Sequence, residues 1–163
     1  MSGVRTRMIQ LSPAFLVIIL DQITKLAVIR ALRPYDAISV IPGFFNLVHV
    51  RNPGIAFGLL SQLGTAWSTL LLCAVTTAAI ILLILWFTRL KDSDQRAAFA
   101  LSLIIGGAVG NLIDRVRLGE VVDFLDFYVG SFHWPAFNVA DSAVTVGTLW
   151  LALSILFNPS AKK

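Results

Sequence analysis

The sequence predicts a mainly α integral membrane protein, a bundle of four transmembrane helices carrying a small extended region on its outer face. Two observations lead there. Hydrophobic residues make up 57% of the 163 residues and charged residues only 13%, against about 25% charged in a soluble domain. Mean hydropathy is +0.82, and a soluble chain of this size could not cover so much apolar surface with so few charges. The apolar residues also gather into four runs, each near the ~20 residues a helix needs to cross a bilayer. This excludes a disordered chain and a disulfide scaffold. The single cysteine, Cys73, sits in an apolar run and reads as a small hydrophobe.

The first run covers about residues 12–32 and is interrupted by Asp21 and Lys25. Its apolar stretch before Asp21 has the length of a signal peptide, but no small-residue cleavage site follows and the apolar pattern resumes after Lys25. It reads as a retained helix. The outer region, about 34–65, contains AISVIPGFFNLVHV. Pro42-Gly43 suits the centre of a type II turn, with β-branched and aromatic residues on both sides, so a hairpin resting on the outer membrane face is expected. The second run, about 66–88, carries no charge. The third, about 97–113, is rich in glycine, and Gly106 with Gly110 permits close helix approach. The fourth covers about 139–157 with Asp141 near its start. No internal repeat or second domain is visible, so residues 1–163 read as one membrane domain.

Lys and Arg near the span ends set orientation. Arg5 and Arg7, then Arg89, Lys91 and Arg96, then Lys162 and Lys163 all fall on one side. That side is expected to be cytoplasmic, with both termini on it. Arg30 and Arg33 run against this assignment. The opposite side holds Arg51, Arg115 and Arg117 among Asp36, Asp114, Glu120, Asp123 and Asp126. Trp67 and Trp86 bracket the second span as an aromatic belt would; Trp150, mid-span, does not fit that pattern. The net charge of +4 is scattered, with no basic stripe, which speaks against nucleic-acid binding.

A charge inside a span costs a few kcal/mol, so each is a functional candidate. Asp21 and Lys25 lie four apart on one helix face, either as a neutralised packing pair or as support for a site. Asn111, Asp114 and Arg115 share a face at the end of the third span, either as an interfacial Asp–Arg pair or as part of a site. Asn138 suits the N-cap of the fourth helix with Asp141 at N3, as in a capping box, yet Asp141 lies a turn inside apolar sequence. His49 and His133 read as interfacial histidines, since no zinc-ligand spacing accompanies them. No cofactor motif is present.

Asp123 and Asp141 fall on two separate connections, at the ends of spans three and four that a compact bundle would bring together. Two close carboxylates share a proton. They then supply a base to activate water and an acid to protonate a carbonyl oxygen, the requirement for peptide hydrolysis without metal or cofactor.

The ordered set DQITK, RNPGIAFG, GGAVGNLIDR, VVDF and FNVADS resembles the lipoprotein signal peptidase (signal peptidase II) family of bacterial membrane aspartyl proteases, over the whole chain. The resemblance implies a catalytic dyad of Asp123 and Asp141. It implies substrate-binding or supporting roles for Asn52, Gly54, Asn111, Asp114, Arg115, Asn138 and Ala140, with Asn52 and Arg115 on substrate backbone and Asn111 and Asn138 orienting the site. Asp21 and Lys25 would be structural. The implied fold adds a small periplasmic β-sheet that cradles the substrate, and an extended loop as a lid. The implied substrate is a prolipoprotein with diacylglycerol on its lipobox cysteine, cut on the amino side of that cysteine. Globomycin-type cyclic peptides would block the site, membrane lipids would surround a monomer, and the location would be the bacterial inner membrane with the site facing outward. Pro53 departs from the threonine more usual at that position, and removes a backbone N–H.

Two other classes compete. A proton-coupled transporter would use intramembrane acids as a relay, but such proteins tend to show repeats and midplane sites. A membrane scaffold would explain the glycines and the Asp21–Lys25 pair, but not a costly Asp141.

Overall fold

The computed structural model describes residues 2–54 and 65–157. The chain runs α1 (Ser2–Ala31), β1 (Ala37–Ile41), β2 (Phe45–Asn52), α2 (Thr65–Arg89), α3 (Gln95–Leu118), β3 (Val121–Val129), β4 (Phe132–His133) and α4 (Val139–Leu156). All four helices are long and apolar enough to cross a membrane. Residues 55–64, where much of the expected extended loop falls, lie outside the described residues, as do Lys162 and Lys163.

α3 is the shared wall of the bundle, packing on α4, α1 and α2. Its sequence permits this because small residues line the contacts. A methyl group on Gly106 would lie 2.7 Å from the Ala14 carbonyl oxygen of α1, and one on Gly147 of α4 would lie 2.8 Å from the Ala100 carbonyl oxygen. Side chains there would force the helices apart. Outward faces stay apolar: Leu82, Leu149 and Ile155 are exposed, as lipid contact requires. Pro13 cannot donate within α1, and the Ser12 hydroxyl donates to the Ile9 carbonyl at 2.7 Å in its place. At the end of the bundle away from the sheet, Arg7 donates to the Phe87 and Leu90 carbonyls at the α2 C-terminus and pairs with Asp92 at 3.5 Å.

The four strands form an antiparallel sheet in the order β1-β2-β3-β4. Pro42-Gly43 joins β1 to β2 as expected: Gly43 has φ +81°, and Phe44 N–H donates to the Ile41 carbonyl at 3.0 Å. The strand of the VVDFLDF segment was not foreseen. β3 pairs with β2 through Val50↔Asp123 and Asn52↔Val121. Val28 of α1 and Leu32 just beyond its end pack with Phe124, seating the sheet on the end of the bundle. After β4 the chain returns beside β3, where Phe137 exchanges hydrogen bonds with Leu125, and this delivers Asn138 to the start of α4.

α3 runs on past its apolar stretch to Leu118, where Gly119 ends it at φ +79°. One sequence expectation is corrected. His49 is not interfacial. It is 1% exposed, with Nδ1 2.9 Å from the Leu32 carbonyl and Nε2 accepting from Arg51 Nε at 3.0 Å. The strand turns it inward over the end of α1, whose unpaired carbonyl it satisfies. His133 does lie half out of the protein, bonded to Asp126 at 2.9 Å.

Candidate active site

Asp123 is carried by β3 and is 2% exposed. Asn138 Nδ2 donates to its Oδ1 at 2.7 Å, and Asn52 Nδ2, at the end of β2, donates to its Oδ2 at 2.9 Å. Asp141 lies in the first turn of α4. Its backbone N–H donates to Asn138 Oδ1 at 2.9 Å while its Oδ2 accepts from the Asn138 N–H at 3.3 Å. The capping box read in the sequence is therefore formed, and the Asn138 side chain of that box also reaches Asp123. Asn138 touches both acids. Asn111 of α3 completes the set, donating through Nδ2 to Asp141 Oδ1 at 2.7 Å.

The amide orientations follow from chemistry. Lys25 can only donate, so the Asn111 oxygen faces Lys25 Nζ at 2.9 Å and its nitrogen turns to Asp141. Asn52 Oδ1 accepts from Gly54 N–H at 2.8 Å, which turns its nitrogen to Asp123. Asn138 Oδ1 is held by the Asp141 N–H, which turns its nitrogen to Asp123. Each oxygen of both carboxylates thus receives one N–H.

Behind this layer Lys25, 2% exposed, places all three ammonium donors. It meets Asp21 at 2.9 Å, Asp114 at 2.8 Å and Asn111. Asp21 Oδ1 accepts from Ala140 N–H at 3.0 Å, which fixes the start of α4. Asp114 Oδ2 accepts from Val122 N–H at 3.2 Å, which fixes β3 beside Asp123. Asp114 therefore pairs with Lys25 rather than Arg115. Ala140 is fully buried, and Gly107 and Gly110 of α3 lie against it. Arg115 donates to the Asn111 carbonyl at 3.4 Å, its Nη2 lies close to Gly54, and its buried Nε has no partner among the described residues.

Every site residue expected from the sequence thus falls in one neighbourhood between α1, α3, the start of α4 and the β2–β3 ladder. Sequence reasoning missed Gln22, whose amide donates to Asp114 Oδ1 at 3.0 Å and to the Gly110 carbonyl at 3.2 Å. A polar residue beside Asp21 within an apolar run was the available signal.

Burial raises Asp123 from 3.8 to about 6; the Asn52 donor works against that rise and the Asp141 charge adds to it. Removing a carboxylate from water disfavours its charged form, and a second nearby negative charge does the same. The arrangement thus keeps a carboxylic acid at Asp123 up to about pH 6, next to the second carboxyl group of Asp141. Among the described residues no three His, Cys, Asp or Glu side chains gather as a metal site needs.

The profile of the signal peptidase (SPase) II family matches residues 13–157. A lipoprotein signal peptidase of Geobacter metallireducens is 50% identical over 139 residues, 85% of each chain. One of Syntrophus aciditrophicus is 43% identical over 143 residues, covering 88% of this chain and 89% of the relative. A bacterial membrane enzyme solved by the in meso method at 1.9 Å has a TM-score of 0.82 at 35% identity, covering 91% of this chain and 93% of that one.

Proposed function

We propose that this chain, which belongs to the signal peptidase II family, cuts with Asp123 and Asp141 acting as one acid–base pair. The chain is an aspartyl peptidase that removes the signal peptides of lipoproteins. The observation that carries the dyad is the bridging Asn138, whose side-chain amide donates to the Asp123 carboxylate and whose backbone N–H donates to that of Asp141.

Burial favours the shared proton on Asp123, so Asp141 is the base. It takes a proton from water as the water oxygen attacks the scissile carbonyl carbon. Asp123 gives its proton to the carbonyl oxygen. As the tetrahedral intermediate collapses, Asp141 passes its proton to the leaving amine, Asp123 takes one back from the hydroxyl it had protonated, and the C–N bond breaks. The products are the signal peptide carboxylate and a new amino terminus. Arg115 and Asn52 would hold the substrate backbone, and the Arg115 Nε left without a partner among the described residues supports this.

The substrate is a prolipoprotein bearing diacylglycerol on cysteine, cut on that residue's amino side. The lipid chains would enter the surrounding membrane. Ile38, Val40, Ile41 and Phe44 of the hairpin, all exposed, offer an apolar surface beside them. Globomycin-type cyclic peptides would compete for the same space. The site faces outward from the inner membrane of a monomer, and both termini are cytoplasmic. The basic residues Arg89, Lys91 and Arg96 at the end opposite the sheet support that orientation.

The test is incubation of the purified protein in detergent with diacylglyceryl-modified and unmodified prolipoprotein, followed by mass analysis of the products. Cleavage of the modified form alone, immediately before the lipidated cysteine, is expected. Equal cleavage of both forms contradicts the lipid requirement.

A further inference from the structure

We infer that Pro53 is a positioning residue for the catalytic pair, acting through the amide of Asn52; this rests on the dyad reading above. The three asparagines of the site are held in different ways. Asn138 is fully buried and its amide is fixed by its surroundings. Asn111 is fixed by Lys25. Asn52 is exposed at the end of β2, so packing does not choose which end of its amide meets Asp123. The local turn does, together with Asp123 itself: Asn52 Oδ1 accepts from Gly54 N–H at 2.8 Å and leaves Nδ2 to donate to Asp123 Oδ2 at 2.9 Å. A flipped amide would set an oxygen against that carboxylate.

Pro53 is the middle residue of this three-residue turn. Its ring fixes φ near −65° and confines the preceding Asn52 to extended backbone, so two of the torsions that form the turn are set before it closes. The missing N–H costs nothing here, because the turn uses the N–H of Gly54. Gly54 completes it at φ +75°, and a methyl group there would lie 2.6 Å from Leu72 Cδ1 of α2. The turn is therefore both internally stiff and seated against a helix. An Asx turn of this type forms with other residues in the middle position, but with more of the chain's freedom left to lose.

The test is a double-mutant cycle of Pro53→Thr and Asn52→Ala, with kcat, KM and pH profiles on lipidated substrate. Wild-type cleavage and its loss in Asp123→Asn establish the underlying reading independently. In the wild-type background Pro53→Thr is expected to lower kcat about two- to five-fold and move the basic limb of the profile to higher pH, since Asp123 loses a donor to its charged form. In the Asn52→Ala background the same substitution should change nothing further. Equal effects in both backgrounds would overturn the inference, as would an unaltered kcat and profile in the first.

Discussion

Three oxygen acceptors meet the ammonium of Lys25, two of them carboxylates that are themselves buried. Replacing Lys25 by Met leaves Asp21 and Asp114 without their cation, and breaking a buried pair in this way costs roughly 3–5 kcal/mol. Thermal unfolding in detergent should show a large loss of stability, and a Lys25→Met protein as stable as the parent would contradict the account. Asp123 predicts two pH effects. Since burial raises it to about 6, its proton leaves as pH rises through that value, the pair loses its acid, and kcat/KM measured across pH should fall on that side. Stability follows the same sign. The folded state holds the proton more tightly than the unfolded chain, so stability falls between pH 4 and pH 6, by roughly 3 kcal/mol, and Asp123→Asn should abolish this slope. The Asp21–Lys25 pair was legible from spacing alone, because four residues make one helical turn. Asp114 as the third member was not, since the neighbouring Arg115 offered an equally plausible partner in sequence. His49 was misread because one histidine in an outer connection carries no mark of burial.

At the level of elements, the helices were visible because each is a long apolar run, and the fourth announced its start through Asn138 and Asp141. β3 was hidden because its acids, Asp123 and Asp126, interrupt an otherwise β-branched and aromatic stretch. One faces the site and the other binds His133 and Asn46. The close packing of α3 on α4 depends on Gly147, where any side chain meets the Ala100 carbonyl. Gly147→Leu should therefore destabilise by about 1–3 kcal/mol through overpacking, readable as a lowered unfolding temperature. An unchanged temperature would mean that the helices do not meet there.

For the whole molecule, the scarcity of charge placed the chain in a membrane, and its distribution points to an orientation. With Cys73 replaced by Ala, Ser131→Cys in the β3–β4 turn should react with an impermeant maleimide in cells whose outer membrane alone is permeabilised. Ser93→Cys, between α2 and α3, should react only after the inner membrane is opened. The reverse pattern would invert the proposed topology. Much of the site's composition was legible, since its residues fall in short distinctive segments. Its geometry was not, because Asn52, Asn111, Asp123 and Asp141 come from four separate elements joined only by packing. The central claim is that Asp123 and Asp141 together carry out hydrolysis. It is tested most directly by cleavage of diacylglyceryl-prolipoprotein by purified Asp123→Asn and Asp141→Asn proteins, each shown to be folded by thermal unfolding. Loss of activity by at least about a hundredfold in each is predicted, and near-wild-type cleavage by either folded variant would contradict it.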